Sequence, residues 1–335
     1  MDYKYKFKTK PYKHQKTALD LGGQRKFFGY FMEMGTGKSK VLIDNIGMLY
    51  MQKELDFALI IAPKGVYRNW VSKEIPEHMP DDIPVRVIRW VAGANKKQQE
   101  EMRSVKDKFD GLTVFVMNVE AFSSVKGKQA GEWLGRAFGH RGMIAIDEST
   151  TIKNHQAKRT KSLTKISQSF KYKRLLTGSP ITKSPLDIFS QAEFLQKGLL
   201  RYDSFYAFQA RYAVLQRRTM GAQSFNQVVG FRNLEELTHM IEQFSYRVLK
   251  KDCLDLPEKT YTVRYVSTTK EQLEMYESLR RHAMVLFDDG EMTSAPAVLT
   301  QPLRPHLSLP GHHKQTARQI LTFPPHTMHP LHQPT

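Results

Sequence analysis

FFGYFMEMGTGKSK, residues 27–40, carries the decision about the fold. An apolar run, Phe27–Met32, meets a short glycine loop, Gly35-Thr36-Gly37-Lys38-Ser39, and an apolar-periodic segment follows with Leu42, Ile46 and Leu49 on one helical face. Strand, glycine loop and helix in that order aim backbone N–H groups and a helix N-terminus at one point, which makes an anion site. The loop closes like the phosphate pattern G-x-x-x-x-G-K-[ST], although Met32 stands where the first glycine belongs. Met34, Gly35, Thr36, Gly37, Lys38 and Ser39 are therefore the candidate cradle for the phosphates of ATP. Lys38 is expected to reach the β- and γ-phosphates and Ser39 to hold Mg²⁺. An exposed glycine-rich turn is the plain alternative.

Outward from the loop, short apolar runs end in Gly, Pro, Asp or Ser: 57–63, 112–117, 142–147 and 174–180. Most lack period-two alternation, as strands buried on both faces of a parallel sheet do. Helical patterns lie between them, so about the first 190 residues predict an α/β fold with a parallel sheet flanked by helices. In the run GMIAIDES (142–149), Asp147 and Glu148 come at a strand end, about 110 residues after the glycine loop. Asp147 is suited to binding Mg²⁺ and Glu148 to polarising an attacking water. A solvated surface turn is the alternative for a lone Asp-Glu pair.

Beyond residue 184 the pattern becomes helical. Ser184, Pro185 and Asp187 look like a helix start, and Leu186, Phe189, Ala192, Leu195 and Leu199 repeat at helical spacing, as do Leu234, Leu237, Ile241, Phe244 and Val248. Residues 260–267 alternate like a strand and open a new unit, and Thr268 begins another helix. From Met292 to Thr335 there is no Asp or Glu, and those residues hold eight of the 16 prolines and six of the 12 histidines, so a disordered tail is expected. A histidine-rich metal tract is the functional alternative, and the loss of acids suggests a shifted reading frame or truncated gene.

The 335 residues suffice for about two domains. One cysteine, Cys253, excludes a disulfide framework and any multi-cysteine zinc site, and no histidine partner for it is evident. A start without an apolar core, and no membrane-length apolar run, fit a soluble, cytoplasmic chain with no membrane association. Lys and Arg outnumber Asp and Glu by 51 to 33, and residues 149–174 hold eight basic residues and no acid. Nucleic acid is the partner such a balance favours, against a generic basic surface.

These residues, in this order, resemble the helicase-related ATPases of superfamily two, in particular the Swi/Snf-like DNA-dependent ATPases. PYKHQ (11–15) is similar to that family's glutamine motif, and MEMGTGKS (32–39) to its phosphate loop, which also lacks the first glycine. IIAPKGVYRNW (60–70) is similar to motif Ia, VFVMNVE (114–120) to Ib, DESTTIKN (147–154) to II and LLTGSPI (175–181) to III. PLDIFSQAEFL (185–195) and LKKDCLDLPEK (249–259) resemble the segments that link the two motor lobes. The resemblance, over about residues 8–290, implies a RecA-like P-loop NTPase lobe. It implies that Gln15 reads adenine, that Lys64, Asn69 and Asn118 contact the nucleic-acid backbone, and that Thr177 and Ser179 couple the two sites. Duplex DNA is the implied polymer.

Two departures stand out. Motif II has Ser149 and Thr150 where Ala-His is commonest. No second lobe with its arginine motif is evident after residue 290. The expected organisation is thus 1–183 as the ATP-binding lobe, 184–256 as a mostly helical extension, 257–300 as the start of an incomplete second lobe, and 301–335 as tail. The missing lobe, or a partner protein, is expected to complete the motor, so hydrolysis by this chain alone is expected to be weak or absent. Rival expectations are a non-catalytic nucleic-acid-binding module with nucleotide as ligand only, and an unrelated P-loop kinase.

Overall fold

A computed structural model describes residues 5–220 and 223–253, with residues 270 and 273 and two short strands, His312–Lys314 and Ile320–Thr322. The chain divides into two units, Met1–Leu256 and Pro257–Thr335. In the second unit the two short strands, β10 (His312–Lys314) and β11 (Ile320–Thr322), pair antiparallel. The strand expected at 260–267, the helix expected after Thr268 and most of the expected tail lie outside the described residues.

The first unit is a seven-stranded parallel sheet. Its strands are β1 (Phe27–Met32), β2 (Phe57–Ala62), β3 (Val85–Arg89), β4 (Leu112–Asn118), β5 (Gly142–Asp147), β6 (Tyr172–Leu176) and, later in the chain, β9 (Ser245–Val248). They lie in the order β3-β4-β2-β5-β6-β1-β9. β2 and β5 are buried at every residue, which is why their sequences run continuously apolar rather than alternating. Alternate side chains feed two cores. Leu59, Ile61, Ile144 and Ile146 enter the one beneath the later helices. Ala58, Ile60, Met143 and Ala145 enter the one beneath α1 (Lys13–Gly22) and α2 (Lys38–Met51).

The order β5-β6-β1 positions the site. The glycine loop leaves the carboxyl end of β1 and the Asp-Glu pair leaves that of β5, with β6 between them. Ligands of open α/β sheets bind at such carboxyl ends.

Two expectations need correcting. Phe244 and Val248 do not continue the helix that begins at Leu234: it ends at Glu242, and Ser245–Val248 joins the sheet beside β1. The apolar spacing there serves a helix and then a strand, both facing the core. Residues 184–250 are not mostly helical either. Between helices Phe205–Tyr212 and Leu234–Glu242 lies an antiparallel ribbon of β7 (Ala213–Met220) and β8 (Gln223–Phe231). Tyr5 is buried against α2, and its hydroxyl donates to Asp44 (3.0 Å), which also accepts from Lys40 Nζ (2.7 Å). The helix Ile188–Leu195 shares the core of the sheet through Ile188, Ala192 and Leu195, so no boundary in packing falls at residue 184.

One buried cation ties this core together. Arg174 of β6 is fully buried and donates to Asn45 Oδ1 (2.9 Å) on α2 and to the carbonyls of Gly22 (3.1 Å) and Gly23 (3.2 Å) at the end of α1. The carbonyl end of a helix carries partial negative charge, so a guanidinium there is stabilised without a carboxylate.

Candidate nucleotide site

The loop after β1 is shaped by two glycines. Gly35 and Gly37 both have φ near +82°, and a Cβ on Gly37 would come within 2.1 Å of Gln15 Nε2. A left-handed φ and that close approach leave room only for glycine. Gly37 also caps the start of α2, which turns the helix N-terminus toward the loop.

Gln15 and His14 hold the loop from outside. Gln15 Nε2 donates to Thr36 O (3.1 Å), and its Oε1 accepts from the Tyr12 N–H (3.0 Å). His14 Nε2 donates to the same carbonyl (2.8 Å), so that nitrogen carries the proton. Sequence gave His14 no role beyond neighbouring Gln15, yet the histidine is buried and clamps the loop. Met34 points outward, 67% exposed. The Thr36 side chain turns back to Glu33 O (2.7 Å).

Across from the loop stands the Asp-Glu pair. Glu148 sits at φ 52°, unusual for a residue with a Cβ. Its carboxylate pairs with Lys38 Nζ at 3.0 Å and accepts a long contact from Thr177 Oγ1 (3.5 Å). Asp147 is buried. Its Oδ2 accepts from the indole N–H of Trp70 (3.0 Å) and its Oδ1 from the Glu148 N–H (3.0 Å). Burial pushes the Asp147 carboxyl up to about 6, against the pull of Trp70 and Lys38. Trp70 opens a π-helical turn, Trp70–Glu74, and is among the largest fully buried side chains. Its tie to Asp147 was not legible in the sequence, where the tryptophan merely ends the motif Ia run.

Ser149 is buried and donates to Gln191 Oε1 (2.6 Å), and Gln191 Nε2 donates to the carbonyls of Pro180 (2.7 Å) and Asp187 (2.9 Å). The serine that departs from the commonest motif II thus joins the Asp-Glu loop to the segment after motif III through a fully buried amide. Thr177 is buried and accepts from the Ser179 N–H (3.3 Å), while the Ser179 side chain is exposed.

Lys64 and Asn118 are brought together; Asn69 is not shown with them. Glu120 accepts from the Lys64 N–H (3.4 Å) and from Asn118 Nδ2 (3.1 Å). Burial alone would raise the Glu120 carboxyl, but hydrogen bonds from Asn118, its own backbone and Lys64 hold it below the usual range. Asn69 is exposed at the end of the short turn Tyr67–Asn69. One further lysine was missed: the Lys250 side chain lies over Gly35, its Nζ 3.5 Å from where a Cβ there would be. Cys253 is half-buried, its thiol pushed up by burial, Asp252 and Glu33.

Fold and site together define a P-loop nucleotide-binding lobe of RecA-like form. The SNF2-related domain model matches residues 30–315, and the chain belongs to that family. It is 29% identical over 233 residues to the bovine (Bos taurus) DNA annealing helicase and endonuclease ZRANB3, covering 68% of this chain and 20% of that protein. It is 26% identical over 191 residues to human TATA-binding protein-associated factor 172, covering 56% of this chain and 10% of that one. Among solved structures, the Sulfolobus solfataricus SWI2/SNF2 ATPase core in complex with dsDNA is similar in fold, with a TM-score of 0.56 and 23% identity over 91% of this chain and 59% of that one. The chain therefore spans a tenth to a fifth of the length of these two relatives. Family membership implies use of a nucleotide. Among the described residues no helix is long and apolar enough to cross a membrane.

Proposed function

We propose that this chain binds ATP at the Gly35–Ser39 loop and serves as the ATP-binding lobe of a DNA-dependent ATPase and translocase acting on duplex DNA inside the cell, in its cytoplasm. The observation that carries this is the 3.0 Å pair between Lys38 and Glu148, which joins the phosphate loop to the carboxylate best placed to activate water. Lys38 and Glu148 satisfy each other's charge. An incoming γ-phosphate offers Lys38 a stronger partner, and release of the lysine leaves Glu148 free to orient the attacking water.

The donor set fits a hard divalent cation. Ser39 offers a hydroxyl and Asp147 a carboxylate whose oxygens each accept one other hydrogen bond, and oxygen ligands suit Mg²⁺. Among the described residues no cluster of three His, Cys, Asp or Glu side chains could hold a metal alone, so phosphate oxygens and water would complete the coordination. When bound, Mg²⁺ neutralises charge on the phosphates. Gln15 faces the loop that adenine would adjoin, and Lys64, Asn69 and Asn118 would meet DNA phosphates, which position the polymer without reading its sequence. Thr177, beside Glu148, and Ser179, exposed two residues on, form the natural path between the two sites. Residues 1–183 with the extension 184–256 would form one motor lobe, and a second lobe would supply the arginines that complete catalysis.

The test is ATP turnover and nucleotide binding by the purified chain, with and without duplex DNA. Lys38→Ala should abolish nucleotide binding. Glu148→Gln should bind ATP more tightly than the wild type, because the lysine loses its resting partner, and should not hydrolyse it. Turnover by the chain alone should be low, since trans arginines are worth about three to five orders of magnitude in such sites. Salt-sensitive DNA binding that ignores ATP and survives Lys38→Ala would instead indicate a binding module. Phosphate transfer to an acceptor other than water would indicate a kinase.

A further inference from the structure

The β7–β8 ribbon is absent from the chemistry described so far. From Arg211 to Arg232 the chain holds four arginines and no Asp or Glu, a formal charge of +4 in a protein that is basic throughout. Two of those arginines are spent at the base. Arg211 pairs with Glu236, and Arg232 donates to the Ala210 carbonyl (2.6 Å). The other two lie along the ribbon.

Register decides what each face offers. Gln216 lies opposite Gln227 and Arg218 opposite Phe225, so these four share one face. Arg217 lies opposite Asn226 and Thr219 opposite Ser224 on the other. Each face thus combines a guanidinium with exposed amides or hydroxyls. Among the described residues Arg217 reaches only Ser224 Oγ (3.1 Å), and Arg218, Gln216, Asn226 and Gln227 have no side-chain hydrogen bond. Phe225 is 49% exposed. Among the described residues the ribbon is anchored at its base, through buried Tyr212 and Ala213 and half-buried Val228 against the sheet's core.

A two-stranded ribbon standing out from its core is marginal in water, so side chains left uncovered along it call for a partner. A partner that is itself acidic and polar fits these ones. Strands of about eight residues rise roughly 25–30 Å, and a two-stranded ribbon fits a major groove about 12 Å wide. We infer that the β7–β8 ribbon is a second duplex-DNA contact, separate from Lys64 and Asn118, with the face of Gln216, Gln227 and Phe225 toward the groove, Arg218 reaching a flanking phosphate from that face and Arg217 reaching one round the edge of the strand. A surface made for another protein would be expected to bring carboxylates or a continuous apolar face; the ribbon has no carboxylate, and although Val214, Leu215, Val229 and Phe231 are exposed toward its base, Gln216, Gln227 and Arg218 separate them from Phe225.

The inference rests on the duplex-DNA reading above, and the test separates the two. Binding of a fluorescein-labelled 30-base-pair duplex to the full chain is measured from low to high salt for the wild type, Arg217→Ala/Arg218→Ala, Arg217→Lys/Arg218→Lys, Phe225→Ser and Lys64→Ala. Thermal melting and sedimentation are followed in parallel. The double alanine variant should melt like the wild type, bind about tenfold more weakly, and show a salt slope smaller by about two. The double lysine variant should keep the wild-type slope. Phe225→Ser should weaken binding without changing the slope. If the alanine variant binds like the wild type while Lys64→Ala binds weakly, the inference falls and the DNA reading stands. If the wild type does not bind the duplex, both fall. If the ribbon variants change only the sedimentation, the ribbon joins copies of the chain and the inference is wrong.

Discussion

At the carboxyl end of the sheet Lys38 has Glu148, Asp147 has Trp70, and Ser149 has Gln191; along the β7–β8 ribbon Arg218, Gln216 and Gln227 face water. The first region is stabilised by its own hydrogen bonds and holds its groups ready before any ligand arrives. The second contributes little to the fold and leaves its groups available. A buried polar group that loses its partner keeps its full desolvation penalty, whereas an exposed one turns to water. Stability measurements should therefore separate the regions, and duplex-DNA binding measurements should reverse the order.

The largest loss should come from Arg174→Met, which takes one buried donor each from the carbonyls of Gly22 and Gly23 and from the Asn45 amide oxygen, leaving them only Arg25 N–H, Asn45 Nδ2 and Tyr30 Oη. Denaturant unfolding should show a loss of about 3 kcal/mol, the sum of several unmade hydrogen bonds. Trp70→Phe keeps the ring and removes the indole N–H from Asp147, and should lose about 2 kcal/mol in the same assay. Ser149→Ala, the commonest residue of the resembled motif, leaves the uncharged Gln191 Oε1 without its one donor while Nε2 keeps its two carbonyls, and should lose about 1 kcal/mol.

A pH dependence comes next. Burial alone would raise the Asp187 carboxyl, but hydrogen bonds from Lys183 N–H and from Thr182, together with the Lys153 charge, hold it below its ordinary value. An acid with a depressed folded pKa contributes stability that is present above its unfolded value, about 3.9, and is lost as pH falls through the folded one. A shallow loss of stability below about pH 4 should therefore be missing in Asp187→Asn. The smallest effect should be Arg218→Ala, within about 0.5 kcal/mol of the wild type. A loss of several kcal/mol there would break the comparison.

Much of the sheet end was legible because chemistry there is written in short contiguous strings. The glycine loop and the Asp-Glu strand end announce themselves by residue type, and the buried parallel strands by unbroken apolar runs. Edge strands were harder. Val85–Arg89 is only half-buried over most of its length and spells VRVIR, so neither its composition nor its length set it apart. Ser245–Val248 was hidden because Phe244 and Val248 keep helical spacing with the residues before them, and four residues are too few to reveal a change of period. Trp70, Gln191 and Lys250 were missed for another reason. Trp70 and Gln191 meet partners 77 and 42 residues away, and the Lys250 backbone N–H donates to Glu33, 217 residues away, beside the loop its side chain covers; nothing local marks such pairs. The ribbon carried no motif, and its clearest sequence signal, an acid-free run between arginines, was hidden inside a chain already rich in basic residues.

Arg174 has a mechanical consequence. α1, α2 and β6 all meet at one guanidinium with no aqueous route to replace its bonds. Sliding any one of the three against the others would break several contacts together, so they behave as a single block. If a nucleotide binds at this loop as proposed, any slack it needs lies in residues 33–37 rather than in that block. The helix bearing Gln15 and His14 is the fixed jaw of the vice, and the loop it grips is the part that gives.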